Sequence, residues 1–342
     1  MTLEDRAIGA MTGLALGDAL GMPTQSMSRE QIVQQFGHIS GLVDAPANQP
    51  IAAGMPAGSV TDDTEQALLV ADLLVAGDGR VSPREFADAL IAWEHGMREK
   101  GSLDLLGPST SAAVAAIAGG TDPASAGSAG TTNGAAMRIT PVAVAVPSTQ
   151  PELLLRAVHD LSFVTHNTNL GLSAAAAVGG AVSAGVDGAG IDEAIAYGLE
   201  LSRSAERLGR WIAGASIPDR TRFALQASGG MDENELADFL SGVVGTSVQS
   251  QESVPSALVI ASYFRDAPFE GLCFAASIGG DTDTVAAMAG AILGATTGTG
   301  AFPAGAVAQT LTVSGIEIEP VVARLLHLRR NPVLARTGAT HS

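Results

Sequence analysis

Two acidic clusters, Thr61-Asp62-Asp63-Thr64 and Asp281-Thr282-Asp283-Thr284, lie roughly 220 residues apart, and each runs into an apolar, alanine-rich stretch that reads as the helix it opens. A helix N-terminus carries free N–H groups and partial positive charge, so a single Asp or Thr there is an ordinary cap. Two Asp and two Thr at each end exceed what capping needs. A fold that joins the two ends crowds four carboxylates into one place, and their repulsion has to be relieved by protonation or by cations. Every ligand on offer is a hard oxygen, which favours Mg²⁺, Mn²⁺ or Ca²⁺ over zinc. The alternative is two capped helices that never meet. Taken with the loops described below, the pair reads as a split metal site, and a chain with half of that site near each end is not to be cut into two domains.

The segments between the clusters predict helices. Aromatic residues make up only 4% of the chain, Ala and Leu abound, and the apolar runs are too long for strands. Helices are expected at Leu3 to Ala19, Ser28 to Phe36, Thr64 to Val75, Ser82 to Trp93, Pro151 to Leu161, Asn169 to Ala184, Ile191 to Ala213, Glu233 to Val243, Pro255 to Phe264, Asp283 to Leu293 and Pro320 to Leu328. Ser28 with Gln31, and Ser82-Pro83 with Glu85, have the spacing of capped helix starts. Residues 37 to 60 and 119 to 130 read as loops, and Val142 to Val146 is the one strand-like scrap. The 41 glycines suit both loops and close helix contacts. The expected architecture is all-α, with one domain over residues 1–342.

A net charge of −17 repels phosphate backbones and anionic lipid, so neither nucleic acid nor a membrane surface is an expected partner. The acidic N-terminus, with Glu4 and Asp5, and the interruptions at Gly13, Gly17 and Asp18 do not read as a signal peptide. The most apolar stretches, Ala174 to Val186 and Val285 to Gly294, are too short and small-sided to span a bilayer. The single Cys273 sits in an apolar run and reads as a buried small hydrophobe rather than a catalytic thiol, in a reducing compartment, with the cytoplasm as the default.

Further polar groups interrupt the apolar pattern. The loop Gly130-Thr131-Thr132-Asn133-Gly134, followed by Ala135 to Arg138, combines hydroxyls, an amide and small residues before a helical turn. Such a loop offers backbone N–H groups to phosphate or ribose oxygens, or is an ordinary turn. Arg138 has the choice of an anion or a buried Asp. His166, in Thr165-His166-Asn167, reads either as hydrogen-bonded structure or as a ligand, and no His has a zinc-type partner. Thr61-Asp62-Asp63, Thr165-His166-Asn167 and Asp281-Thr282-Asp283 each precede a helix of small residues, so three helix starts are candidates to converge. Asp18 sits near a helix end, where the dipole disfavours a carboxylate, so it reads either as a structural hydrogen-bonding group or as a group beside the metals. A P-loop and a nucleophile elbow are both absent from the sequence.

In order along the chain, Gly17-Asp18-Ala19-Leu20-Gly21-Met22-Pro23, Thr61-Asp62-Asp63-Thr64, Asn133-Gly134-Ala135-Ala136-Met137-Arg138, Thr165-His166 and Gly279-Gly280-Asp281-Thr282-Asp283-Thr284 resemble the motifs of the ADP-ribosylglycohydrolase family, from about residue 6 to 298. The resemblance implies a compact all-α fold, a multi-helix orthogonal bundle with a central dinuclear metal cleft holding two Mg²⁺ or Mn²⁺ ions, cleaving the bond at ribose C1 in ADP-ribosylated or related molecules. It implies that Thr61, Asp62 and Asp63 hold one metal, that Asp281 and Thr284 hold the other, and that Asp283 bridges them. It also implies that Gly130, Thr131, Thr132, Asn133 and Gly134 wrap the diphosphate and ribose, with His166 lining the same cleft. Two departures stand out. Many family members carry Glu shortly after the Gly-Met-Pro turn; this chain has Gln25, which cannot act as a base. Relatives with arginine-directed activity place an Asp two residues before Gly107; here Leu105 stands there and Asp104 is one residue off.

The expected activity is metal-dependent hydrolysis at the anomeric carbon of a ribosyl unit, in an ADP-ribosylated protein or a small ADP-ribose conjugate. The alternatives are hydrolysis of a smaller N-ribosyl compound, such as a nucleoside, and a non-hydrolytic protein that binds metal or nucleotide. Asp62, Asp63 and Asp104 are the candidates for the base that Gln25 cannot supply.

Overall fold

The computed structural model describes residues 1–101 and 106–331, so Asp104 lies outside the described residues. Nineteen α-helices are described. They are α1 (Leu3–Gly21), α2 (Arg29–Phe36), α3 (Asp62–Ala76), α4 (Pro83–Glu99), α5 (Pro108–Ala118), α6 (Pro123–Ala126), α7 (Gly134–Met137), α8 (Thr140–Ala145), α9 (Pro151–Asp160) and α10 (Phe163–His166). The chain continues through α11 (Asn169–Val186), α12 (Ile191–Ala205), α13 (Ile217–Ala227), α14 (Glu233–Phe239), α15 (Ser250–Tyr263), α16 (Pro268–Ala275), α17 (Thr282–Thr297), α18 (Ala304–Ser314) and α19 (Ile318–Arg330). Extended backbone pairs only as isolated bridges, Met27 with Gly280, Thr132 with Gln249 and Thr168 with Arg210. The fold is all-α.

The pairing of α1 with α17 organises the rest. Gly9, Gly13, Gly17 and Gly21 recur every fourth residue, which puts them on one stripe of α1. That stripe lies against the backbone of α17, running antiparallel. A Cβ on Gly13 would fall 2.1 Å from the carbonyl oxygen of Gly290, and one on Gly17 would fall 2.1 Å from that of Ala286. The reverse holds for Gly290, whose Cβ would meet the Gly13 oxygen at 2.0 Å. At the far end a Cβ on Gly21 would meet the backbone of Asp283 at 2.4 Å. Backbone therefore touches backbone, and the C-terminus of α1 is pressed onto the first turn of α17. Around this pair pack α11, α15, α16 and α19.

Helix α11 is buried from Leu170 to Val186, as expected of a helix apolar on every side. By length and composition it could cross a membrane, and it is longer than its apolar core Ala174 to Val186 suggests. Here it serves as the central helix of the bundle, 94% buried.

Several segments depart from the sequence expectation for identifiable reasons. Val142 to Val146 is not a strand: Pro141 near the start of α8 sets a helical φ, and the whole of α8 is buried. The helix expected to reach Ala213 stops at Ala205, before Gly209 takes a left-handed φ of 67°. The helix expected to begin at Pro255 begins at Ser250 instead. Pro255 lacks the N–H that would bond the carbonyl of Gln251, and Arg220 fills that role, its Nη1 donating to the Gln251 oxygen at 2.9 Å. Helices α5, α13, α16 and α18 have no counterpart among the expected ones, and Cys273 is buried in α16. The expected capping boxes at Ser28 and Ser82 are both formed.

The glycine stripe leads to a paired prediction. Gly17→Ala should cost about 1–3 kcal/mol or more, because the methyl group has only backbone to displace. Gly96→Ala, inside α4 with nothing within 4 Å of the new methyl group, should gain about 0.5–1 kcal/mol. Urea denaturation of the two variants against wild type checks the difference in sign.

Candidate active site

Three helix ends build the site. The first is the last turn of α1. Asp18 is fully buried, and its carboxylate accepts from the backbone N of Thr61 at 3.0 Å, the Thr61 hydroxyl at 2.8 Å, the Thr64 N at 3.1 Å and the Thr64 hydroxyl at 2.5 Å. The carboxylate that the dipole of α1 disfavours is thus compensated by the N-terminus of α3. Thr61 caps α3, which opens at Asp62, two residues before the sequence suggested. Asp18 thereby fixes the first acidic cluster in place.

The second end is α17, which the Gly21 contact carries to the same spot. The Thr284 hydroxyl donates to Asp63 Oδ2 at 3.1 Å, so the two clusters touch. Thr282 donates to the carbonyl of Gly21 at 3.0 Å and locks the turn below. Asp63 is fully buried and Asp283 is 2% exposed. Burial, followed by the charges of Asp283, Asp18, Asp62 and Asp281, holds the Asp63 carboxyl well above the usual carboxylate range. Burial alone outweighs its hydrogen bonds in pushing Asp18 up to about 6, and burial also raises Asp281. The four crowded carboxylates expected from the sequence are five, Asp18 being the addition.

The third end is the loop before α7. The Asn133 Nδ2 donates to Asp281 Oδ2 at 2.5 Å and to the Ser253 hydroxyl at 3.0 Å. The loop differs from the expected phosphate cradle. The N–H groups of Gly130, Thr131, Thr132 and Asn133 are spent inside the protein, on the carbonyl of Gly127, on the Ser109 hydroxyl twice, and on the carbonyl of Val248. Only side chains and the start of α7 remain to meet a ligand.

A cavity of about 260 Å³ lies between these ends. Gln25, Asp62, Asp281, Asp283 and Thr284 line one part of it. Thr132, Asn133 and Gly134 line another. Thr61 and Asp63 sit directly behind the wall, while Gly130 and Thr131 stand away from it. Among the described residues the lining contains neither an aromatic ring nor a Lys or Arg.

His166 does not line the cleft. It is fully buried, with Nε2 3.1 Å from the Thr132 hydroxyl and Nδ1 2.8 Å from the Thr165 hydroxyl, so it buttresses the loop from behind. The third helix start, Thr165-His166-Asn167, therefore supports the site from behind, through Thr132 and, from Thr165, through Arg138. Arg138 is also buried, and it donates to neutral groups. It stacks over Phe86 at 5.2 Å and gives Nη2 to Thr165 at 2.6 Å and Nη1 to Gln66 Oε1 at 2.8 Å. Gln66 in turn donates to Asp62 Oδ2 at 2.9 Å. Gln66, which orients Asp62, was missed by sequence reasoning; its place one helical turn after Asp62 was the available signal.

The donor set is that of a hard divalent cation: carboxylates, threonine hydroxyls and no sulfur or imidazole. Asp63 Oδ1 is buried without a hydrogen-bond partner, as expected of an atom with a ligand to meet. No three acidic, imidazole or thiol side chains among the described residues already converge on one point.

Burial and the nearby Arg138 charge hold His166 well below its ordinary 6.5. Below that pH the unfolded chain takes up a proton that folded His166 refuses, so its contribution to stability falls as the pH falls. The loss of melting temperature between pH 7.5 and 5.5 should therefore be smaller in His166→Gln than in wild type. Thermal melts at the two pH values measure this, and the carboxylates, common to both proteins, cancel in the comparison.

Comparison with known proteins agrees with the geometry. The family model of ADP-ribosylglycohydrolase matches residues 1–333. The Escherichia coli (strain K12) protein YegU, itself uncharacterized, is 31% identical over 289 residues, covering 84% of this chain and 86% of its own. ADP-ribosylarginine hydrolase Tri1 of Pseudomonas putida (strain GB-1) is 26% identical over 297 residues, covering 84% of this chain and 69% of its own. A solved structure described as an ADP-ribosylglycohydrolase-related protein complex superposes with a TM-score of 0.67 at 27% identity, covering 96% of this chain and 98% of the other. With a match over nearly its whole length, the chain belongs to the ADP-ribosylglycohydrolase family, enzymes that act on ADP-ribosyl bonds.

Proposed function

We propose that the cleft holds two Mg²⁺ or Mn²⁺ ions and hydrolyses the bond at the anomeric carbon of a ribosyl unit, carried by an ADP-ribosylated protein or a small ADP-ribose conjugate. The observation that carries this reading is the Thr284–Asp63 hydrogen bond, which joins two acidic helix starts on the wall of one cavity. Five carboxylates crowded there favour cations over the alternative of protonation. Thr61, Asp62 and Asp63 would hold one ion, Asp281 and Thr284 the other, with Asp283 shared. When bound, such ions fix a ribose diol and polarise water.

The side chains divide the remaining work. Asp62 is the acid on the wall whose carboxylate is oriented by Gln66, and it is the candidate to take the proton of the attacking water. Asp63 lies behind the wall, which suits a ligand better than a base. Asn133 holds Asp281, and Thr132, backed by His166, shapes the opposite side.

A second reading has specific support. The cavity is just below the roughly 300–1,000 Å³ typical of drug-sized ligands, and its lining offers neither an aromatic face for a base nor a cation for a diphosphate. A nucleoside-sized N-ribosyl compound fits this volume; an ADP-ribosyl group would leave its AMP portion outside the mouth.

A panel of ribosyl substrates with Mg²⁺ or Mn²⁺, followed by product chromatography, tests the proposal; release of ribose or ADP-ribose is expected from at least one member and none after chelation. Added Mn²⁺ should raise the melting temperature, with about 2.7 kcal/mol of stabilisation at a hundredfold excess over its Kd. Asp283→Asn should lower the occupancy of both ions by elemental analysis. A variant that retains two ions per chain would remove Asp283 from the bridge.

A further inference from the structure

We infer that Gln25 is a specificity residue that hydrogen-bonds the leaving group, and that this group is a neutral one with an amide-like edge, as in a nucleobase lactam or a carboxamide, rather than a guanidinium. The inference rests on the hydrolase reading above.

Gln25 lines the cavity and is only 4% exposed, yet its Nε2 is buried without a hydrogen-bond partner. A buried amide donor left unmade costs about 1–3 kcal/mol, so its retention calls for a partner that comes and goes. The backbone around it is held firmly. Gln49 Nε2 donates to the Gln25 carbonyl at 2.9 Å, the Ser26 N–H donates to the carbonyl of Gly280 at 2.7 Å, and Met27 bridges Gly280. Ser26 itself takes a left-handed φ of 62°, a conformation a non-glycine residue adopts at a cost. The main chain is thus fixed on both sides of a side chain that satisfies nothing in the protein.

Ser26 also lines a second hollow, of about 350 Å³, which is therefore adjacent to the cleft. The second hollow is walled by Gln31, Gln34, Gln35, Asn48 and Gln49 together with Met27 and prolines, with no acidic or basic side chain among the described residues. In a protein with 35 acidic residues, a carboxylate-free wall beside the cleft is informative. A guanidinium offers five donors and no acceptor, and is matched by carboxylates. A carboxamide meets it with one oxygen and leaves its own NH₂ unsatisfied. A lactam or amide edge offers one donor and one acceptor side by side, which a glutamine pairs with two parallel hydrogen bonds, as it does with a base edge. A half-turn of the side-chain amide exchanges its ends, so either orientation of that edge is accepted.

The reaction remains hydrolysis. Water oxygen bonds to the anomeric carbon, the ribosyl–nitrogen bond breaks with its electron pair going to nitrogen, and one proton of the water ends on the departing group. Gln25 neither gives nor takes that proton.

Calorimetry with free hypoxanthine and, separately, free ethylguanidinium, on the Mn²⁺-supplemented protein, tests the assignment. Hypoxanthine should bind wild type more tightly than ethylguanidinium does. Gln25→Met should weaken its binding about tenfold with no fall in melting temperature, because the amide has no protein partner to lose. Gln25→Glu, which keeps length and shape, should weaken it as well, since a carboxylate cannot donate. Absent hypoxanthine binding, binding that both variants leave within twofold, or a preference for ethylguanidinium would each overturn the inference. If hypoxanthine binds as expected and no ribosyl substrate is cleaved, the hydrolase reading fails, and with it the leaving-group role, while recognition of an amide edge by Gln25 stands.

Discussion

The structure depends on one contact, the backbone-to-backbone packing of α1 on α17 along four glycines. Helices packed through ordinary side chains sit 8–10 Å apart, and the contact can slide as side chains adapt. Where Gly13 and Gly290 meet there is no side chain to adapt, so the register is fixed by the main chain itself. That rigidity is transmitted to the site at one end only. Gly21 seats the first turn of α17, and Asp18, one turn earlier, seats the first turn of α3. A single helix thus aligns two clusters distant in sequence.

This alignment gathers charge that folding by itself would disperse. Burial and the neighbouring carboxylates raise the proton affinity of Asp63 instead of lowering it. Gln66 links buried Arg138 to Asp62, one end of its amide accepting from the guanidinium and the other donating to the carboxylate, and so orients both. Such concentrations of unfavourable electrostatics mark functional sites, where local stability is given up for chemistry.

Much of this was legible in the residues. The acidic clusters, the helical class and the capping boxes at Ser28 and Ser82 follow from local chemistry at short spacing, and the meeting of the clusters was suggested by their excess of carboxylates over what capping needs. The roles that were missed depend on partners far along the chain. That Arg220 satisfies the carbonyl stranded by Pro255, or that His166 stands behind Thr132, has no short-range signature. The loop at Gly130 to Asn133 misled for a related reason: its composition suits an anion cradle, but Ser109 and Val248 had already claimed its N–H groups. The glycine spacing in α1 was visible in the sequence, though only a partner helix gives it meaning. Val142 to Val146 shows propensity yielding to burial, since β-branched residues are tolerated in a short helix enclosed on all sides.

The antiparallel seat of α1 on α17 also sets a timetable. During synthesis α1 emerges first, with its glycine face bare, and its partner follows some 260 residues later. At the roughly 5–20 residues per second of translation, that face waits on the order of 15–60 s for the surface it fits. Helix α1 is a weak helix on its own, interrupted every fourth residue by glycine, and its closing contact spans almost the whole chain. Maturation of the site is therefore a late event: Asp18 can seat the first acidic cluster early, but the second arrives only with α17, and shortened products ending before it would present an unpaired, aggregation-prone helix face to the cell's quality control.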